Sequence, residues 1–108
     1  MKLLTQEIRN KIPKLYSQDG KGEDAIAYVK FFDPAGSWTW YASEGEPEFD
    51  EGGKEIDFRF FGLVYGFERE LGYFTLNELK SIHGRHWIER DKFFTPKLLK
   101  ECLNPCER

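Results

Sequence analysis

The chain has 108 residues, of which 40% are hydrophobic and 17% aromatic, with a formal net charge of −3. This length predicts one domain over residues 1–108 with a single core, since a domain of this size buries roughly two thirds of its unfolded surface. The slightly acidic balance argues against non-specific nucleic-acid binding. No signal peptide is visible and no apolar stretch is long enough to span a membrane, so we expect a cytoplasmic protein with no membrane partner.

The first predicted element is a helix over residues 3–12. Its apolar residues recur at nearly helical spacing and are Leu3, Leu4, Ile8 and Ile12. Thr5 fits the N-cap position, which would place Leu3 and Leu4 just outside the helix as a hydrophobic staple, and Pro13 ends the helix. We expect Leu15 and Tyr16 to tuck down as an anchor before a polar, glycine-containing loop.

Two strands, residues 25–32 and 37–43, are predicted to form an antiparallel hairpin. The turn between them has Asp33 as its cap, Pro34 at its second position and Gly36 where we expect a positive φ.

Residues 44–57 form an acidic segment with seven carboxylates and one lysine, a net charge of −6 that leaves +3 on the rest of the chain. Pro47, Gly52 and Gly53 predict an exposed loop with its tip at residues 46–54. Extended ends that prolong the flanking strands are an alternative.

The most apolar ten residues are 58–67, and both alternating sets of side chains are largely apolar. We therefore predict a central strand that is covered on both faces. Gly62 and Gly66, in an aromatic-rich setting, argue against a helix. Because glycine has no side chain, we expect a neighbour such as an aromatic ring to pack closely there.

The remaining predicted elements are a short strand at 73–74, a helix opened by a capping box at 75–82, an edge strand at 88–94 and a helix at 97–103 that follows the N-cap Thr95. This order predicts an α+β fold: a mainly antiparallel sheet of four to five strands with N-terminal, middle and C-terminal helices. The expected core contains Ile26 or Ala27, Val29, Phe31, Phe60, Leu63, Val64, Phe74, Leu79 and Leu98.

Several segments resemble one known family. They are Leu4–Thr5, Glu7, Arg9, Pro13–Gln18, Asp33–Tyr41, Phe60–Val64, Glu70–Phe74 and Ile88–Asp91. On these segments, nearly the whole chain resembles the bacterial domain of unknown function (DUF) 2958 family. The resemblance implies a small protein often encoded on plasmids, phages and integrated mobile elements, and it supplies no catalytic residues. The chain departs from the family pattern in a longer acidic segment and in its histidines and cysteines.

The candidate binding residues are Trp38, Trp40, Tyr41, Glu44, Glu46 and Glu48. Trp38 and Trp40 share one face of their strand, where exposed rings would stack on a base or grip a partner peptide. The alternative is that both pack in the core with their N–H groups satisfied. The acidic segment would attract a basic partner, or it is simply a solvated loop.

Metal sites have weaker support. Four soft ligands are available, His83, His86, Cys102 and Cys106, but the histidine spacing is tighter than zinc sites usually show. Carboxylates that would bind a divalent ion for phosphodiester chemistry are Glu89 and Asp91, together with either Glu44 or Glu68. Salt bridges along an edge strand are the alternative for Glu89 and Asp91. We expect no metal, no cofactor and no catalytic residue.

The leading hypothesis is a non-enzymatic protein-interaction or accessory module of plasmid, phage or integrated-element biology, with an unknown protein partner. One alternative is a small metal-dependent enzyme that acts on nucleic acid through Glu44, Glu89 and Asp91. A second alternative is a nucleic-acid-binding module that uses the basic N- and C-terminal segments.

Overall fold

The computed structural model describes residues 2–81 and 88–102. The helices in these ranges are α1 (Gln6–Lys11) and α2 (Leu76–Ser81), with single 3-10 turns at Gly22–Asp24 and Leu99–Glu101. The strands are β1 (Ile26–Ala27), β2 (Val29–Phe32), β3 (Thr39–Phe49), β4 (Glu55–Tyr65), β5 (Arg69–Thr75), β6 (Glu89–Arg90) and β7 (Lys97–Leu98). An antiparallel sheet has the order β5-β4-β3-β2-β6, and β1 pairs with β7 in a second, small sheet. The predicted α+β class and mainly antiparallel sheet are confirmed.

Helix α1 begins where its cap predicts. The Thr5 side chain accepts a hydrogen bond from the Ile8 N–H at 3.2 Å, and Thr5 itself is extended, so the helix starts at Gln6 rather than at residue 3. Leu3 and Leu4 lie just outside the helix and are buried. The helix ends at Lys11 because Ile12, which precedes a proline, is extended.

The first predicted strand is split between the two sheets. Ile26 and Ala27 pair with β7, whereas β2 pairs with β3 in the predicted hairpin, with Phe31 opposite Trp40. In the hairpin turn, Asp33 Oδ1 accepts the Ala35 N–H at 2.9 Å. The expected positive φ at Gly36 is wrong. A Cβ there would lie 2.9 Å from the Asp33 carboxylate, so close approach is what favours glycine.

The acidic segment is not an exposed loop. Strand β3 continues to Phe49 and β4 starts at Glu55, so only residues 50–54 form a turn, with Gly53 at φ +86°. The predicted tip is therefore wrong for residues 46–49, which belong to β3, whereas the alternative of extended strand ends is correct. Glu44, Glu46 and Glu48 occupy every second position of this part of β3. Each carboxylate has a hydrogen-bond or ion-pair partner outside β3.

Strand β4 is an interior strand between β3 and β5, and from Phe58 to Tyr65 its residues are buried or half-buried on both faces. The predicted strand over 58–67 extends two residues too far, because β4 ends at Tyr65 and Phe67 is 94% exposed. Phe58 and Phe60 pack in one core cluster beside α1 and α2, while Leu63 and Tyr65 pack in a second cluster under β1 and the C-terminal segment. Of the expected core, Ala27, Val29, Phe31, Phe60, Leu63, Phe74 and Leu79 are buried, whereas Ile26, Val64 and Leu98 are half-buried.

The two glycines of this apolar segment have close neighbours, as predicted. A Cβ at Gly62 would lie 1.8 Å from the Tyr41 carbonyl oxygen, and one at Gly66 would lie 2.5 Å from the Trp38 ring. An aromatic ring therefore packs on Gly66, and the backbone of the neighbouring strand packs on Gly62.

The C-terminal helix predicted at 97–103 is wrong within the described residues. Lys97 and Leu98 form β7, and a 3-10 turn follows. The Leu99 N–H donates to the Ala25 carbonyl at 2.9 Å, and the Leu99 side chain is fully buried. Pairing with β1 and burial of this leucine override the local helical signal.

The other predicted elements are present with different lengths. Strand β5 covers seven residues rather than two and lies at one edge of the sheet, and β6 lies at the opposite edge with only two residues. Helix α2 follows Thr75, whose Oγ1 accepts the Glu78 N–H at 3.1 Å. No helix in the described part of the chain has the length and apolar character needed to cross a membrane.

Candidate functional site

Strand β3 holds the segment that follows α1 through two glutamates. Glu44, only 4% exposed, accepts the backbone N–H groups of Tyr16 at 2.8 Å and of Gln18 at 2.6 Å. Glu46 accepts the Leu15 N–H at 3.0 Å, and the Gly45 N–H donates to the Pro13 carbonyl at 2.9 Å. Four hydrogen bonds therefore fix residues 13–20, here called the Tyr16 turn, against the sheet.

The buried side chain of Gln18 fixes the same turn to β1 and β3. Its Nε2 donates to the carbonyl oxygens of Ile26 at 2.9 Å and Ser43 at 2.8 Å. Its Oε1 accepts the Ile26 N–H at 2.7 Å. Every polar atom of this side chain is thereby used, as buried polar groups require.

Tyr16 has φ +71°, the only positive φ of a non-glycine residue in the described ranges. The left-handed conformation costs an L-residue about 1–2 kcal/mol. The bond from its N–H to Glu44 offsets that cost, so the backbone is fixed while the side chain is 66% exposed. The expectation that Tyr16 tucks down as an anchor is therefore wrong, because the anchor is its N–H group and not its ring.

A cavity of about 370 Å³ lies between the Tyr16 turn and the face of β4 and β5. We call it the tyrosine cleft. Its lining combines apolar and aromatic side chains with carboxylates and consists mainly of Tyr16, Phe61, Leu71, Tyr73, Asp19 and Glu44. Phe61 and Tyr73 stand opposite each other on β4 and β5, with ring centroids 4.9 Å apart in an edge-to-face arrangement. The cleft thus offers aromatic surface beside negative charge.

The electrostatics of the cleft act on Tyr73. A hydrogen bond with the Tyr16 side chain raises the pKa of Tyr73 above its ordinary value, and the negative charges of Glu44 and Asp19 raise it further. This environment therefore favours the neutral form of Tyr73.

Two arginines flank the cleft, and both are paired within the chain. Arg69 forms an ion pair with Glu23, which raises the pKa of Arg69 and lowers that of Glu23. Arg59 lies 3.4 Å from Glu48 and 5.7 Å from the Tyr73 ring centroid. Among the described residues that line the cleft itself, none is a lysine or an arginine.

The structure separates the six predicted binding residues. Trp40 and Tyr41, each 3% exposed, are buried in the two different core clusters, so the alternative that both tryptophans pack in the core is correct for Trp40. Trp38 is half-buried, 5.8 Å from the Trp40 ring and 5.3 Å from that of Phe67, which is 94% exposed. The three carboxylates are used internally: Glu44 and Glu46 by the Tyr16 turn and Glu48 by Arg59.

The structure does not bring together the carboxylates proposed for metal binding. Across residues 2–81 and 88–102, no group of three His, Cys, Asp or Glu side chains is placed to hold a metal ion. Glu44 bonds to the Tyr16 turn, and Asp91 lies 3.7 Å from the Lys30 ammonium. Cys102 is a buried free thiol whose pKa is raised to about 11 by burial. The other proposed soft ligands, His83, His86 and Cys106, lie outside the described residues.

A second cavity of about 230 Å³ lies between α1 and the segment around β6. Its charged residues are Glu7, Lys11, Arg90, Asp91 and Lys92. Lys11 of α1 lies on this cavity with Arg90 and Lys92, but two carboxylates offset the three cations. The local charge therefore gives little support for nucleic-acid binding, which depends on a clear excess of positive charge.

Fold and site together define an α+β protein built on a five-stranded antiparallel sheet, with a tyrosine-lined cleft on one face. The chain belongs to the family described as protein of unknown function (DUF2958), whose model matches residues 3–100 and confirms the resemblance. Comparison with curated proteins and with solved structures found no match.

Sequence reasoning missed the residues that form the cleft, Tyr16, Phe61, Leu71 and Tyr73. All four lie in segments that carry the family resemblance or in the apolar strand next to them. The sequence feature that pointed to the cleft was Tyr16, which lies in the Pro13–Gln18 segment between the first predicted helix and the first predicted strand. Its positive φ, however, has no signature in the sequence.

Proposed function

We propose that this protein is a non-enzymatic interaction module that binds a segment of a partner protein in the tyrosine cleft. The observation that carries the proposal is the state of Tyr16, whose backbone is held in a costly conformation by Glu44 while its ring is presented to solvent. Strained backbone persists only where surrounding contacts impose it, and it clusters at binding sites and ligand clamps.

The lining of the cleft supports the same function. Tyr16, Leu71 and Tyr73 are large, exposed side chains in one concave surface. Tyrosine is enriched among the residues that dominate protein–protein binding, because it buries a large area with few rotatable bonds. The cavity of about 370 Å³ falls in the size range of ligand sites and admits one or two side chains of a partner.

Strand β5 extends this surface. It is an edge strand of the five-stranded sheet and carries Leu71 and Tyr73 on the cleft side. An extended partner segment can add main-chain hydrogen bonds at such an edge while its side chains enter a neighbouring pocket. The family resemblance supports an accessory role in plasmid, phage or integrated-element biology as the setting of this binding.

Affinity capture from the native cell, followed by quantitative mass spectrometry, tests the proposal. Tyr16→Gly removes the ring and suits the positive φ, and Tyr73→Ser removes the facing ring. Phe67→Ser is the control, since it removes an exposed aromatic side chain that lies outside the cleft. We expect a stoichiometric partner with the parent protein and the control, and at least about a tenfold loss with both cleft variants, as for binding hot spots. Retention of the partner by both cleft variants would overturn the proposal.

A further inference from the structure

The tyrosine cleft has the chemistry of a cation site. Tyr16, Phe61 and Tyr73 give it three aromatic rings, whose faces carry the negative part of the ring quadrupole. A cation within about 6 Å of such a ring is attracted to it, most strongly where water is excluded. Tyr73 already attracts one cation of this chain, since Arg59 lies 5.7 Å from its ring centroid.

Two carboxylates face the same space. Asp19 is exposed at the rim, and Glu44 is buried at the base of the cleft. The Glu44 oxygens each accept one backbone N–H, from Tyr16 and from Gln18. A carboxylate has about four acceptor positions, so capacity remains for a donor that enters from the cleft.

The charges near the cleft are unevenly balanced. The flanking Arg59 and Arg69 are paired with Glu48 and Glu23. Asp19 and Glu44 line the cleft, and no lysine or arginine is among the described residues that line it with them. An apolar occupant would displace water from Asp19 and from the acceptor positions of Glu44 that the backbone N–H groups do not use, and an anionic occupant would be repelled. A cationic occupant offsets their charge and stacks on the rings.

We infer that the tyrosine cleft receives a cationic side chain, arginine or lysine, from the partner protein. This inference rests on the proposed function and specifies the chemistry of the bound segment. Arginine is expected to bind more tightly, because its planar guanidinium stacks on aromatic rings and donates to carboxylates at the same time.

NMR titration of the full chain tests the inference with defined probes. N-acetyl-arginine methylamide and N-acetyl-lysine methylamide are compared with their neutral counterparts, which contain citrulline and Nε-acetyl-lysine. We expect saturable shifts of the Tyr16, Phe61 and Tyr73 ring signals, with each cation binding at least about fivefold more tightly than its neutral counterpart. Asp19→Asn and Tyr73→Leu should each weaken cation binding severalfold, whereas Phe67→Leu should leave it unchanged.

The two proposals fail in different ways. Equal binding of charged and neutral probes, or no shift of the cleft signals, overturns the cation site. Tyr16-dependent capture of a partner would then leave the interaction module standing. Saturable cation binding with no Tyr16-dependent partner overturns the interaction module, and with it the assignment of the cation to a partner protein.

Discussion

The carboxylate of Glu44 accepts the backbone N–H of Tyr16 at 2.8 Å, and this bond joins a buried position on β3 to a tyrosine in the left-handed conformation. The second Glu44 oxygen accepts the Gln18 N–H two residues later. One buried side chain therefore sets the backbone of the turn that forms one wall of the cleft.

Replacement of Glu44 by glutamine should destabilise the protein. Glutamine keeps the size of the side chain but has one acceptor oxygen, so one of the two N–H groups faces an amide N–H₂ instead. A buried donor without a partner costs about 1–3 kcal/mol, and we expect the free energy of unfolding in urea to fall by that amount. Glu68→Gln, at an exposed position, is the control and should change it little. Equal stability of both variants would show that Glu44 does not determine the turn.

The strain at Tyr16 can be measured by comparing two truncations. Tyr16→Gly and Tyr16→Ala both remove the exposed ring, but only glycine adopts φ +71° without strain. Glycine also loses more entropy on folding, which reduces its advantage. We expect Tyr16→Gly to be more stable than Tyr16→Ala by about 1 kcal/mol in thermal or urea unfolding. If the alanine variant is the more stable, the turn does not hold a positive φ in solution.

The sequence predicted the elements whose signals are local. Thr5 caps α1, Thr75 caps α2, and the alternation of apolar residues around Phe60 and Leu63 places β4 in the interior of the sheet. Each of these outcomes follows from side-chain period or from one short-range hydrogen bond, so no knowledge of the rest of the fold was required.

The acidic segment shows where local signals fail. Its negative charge and paired glycines indicate a loop, yet Glu44, Glu46 and Glu48 recur at the two-residue period of a strand. Their partners are the backbone N–H groups of residues 15, 16 and 18, which are distant in sequence, and the Arg59 side chain on the neighbouring strand β4. The cleft was missed for the same reason, because it requires this contact between the Tyr16 turn and the sheet.

The close contact at Gly62 predicts a large difference between two glycines of paired strands. Gly62 and Gly72 are opposite each other on β4 and β5, and neither has a positive φ. A Cβ at Gly62 would lie 1.8 Å from the Tyr41 carbonyl oxygen, whereas a Cβ at Gly72 would meet no atom within 4 Å. We expect Gly62→Ala to lower the free energy of unfolding by about 3 kcal/mol, because the β3 backbone must move. Gly72→Ala should be neutral or slightly stabilising, and similar losses in both variants would contradict this pairing of strands.

The buried thiol of Cys102 makes stability depend on alkaline pH. Burial raises its pKa from the ordinary cysteine value of 9.0 to about 11 in the folded protein. Between these values the unfolded chain has released the thiol proton while the folded chain retains it, so the free energy of unfolding falls as pH rises. Over this interval the loss should reach about 2–3 kcal/mol, since one pKa unit corresponds to about 1.4 kcal/mol.

Lysine and tyrosine residues titrate in the same range, so the measurement is the difference between the parent protein and Cys102→Ala in urea unfolding from pH 8 to 11. We expect that difference to favour the parent protein at pH 8 and to shrink as pH rises. A difference that stays constant with pH would show that the Cys102 thiol is not protected by burial in solution.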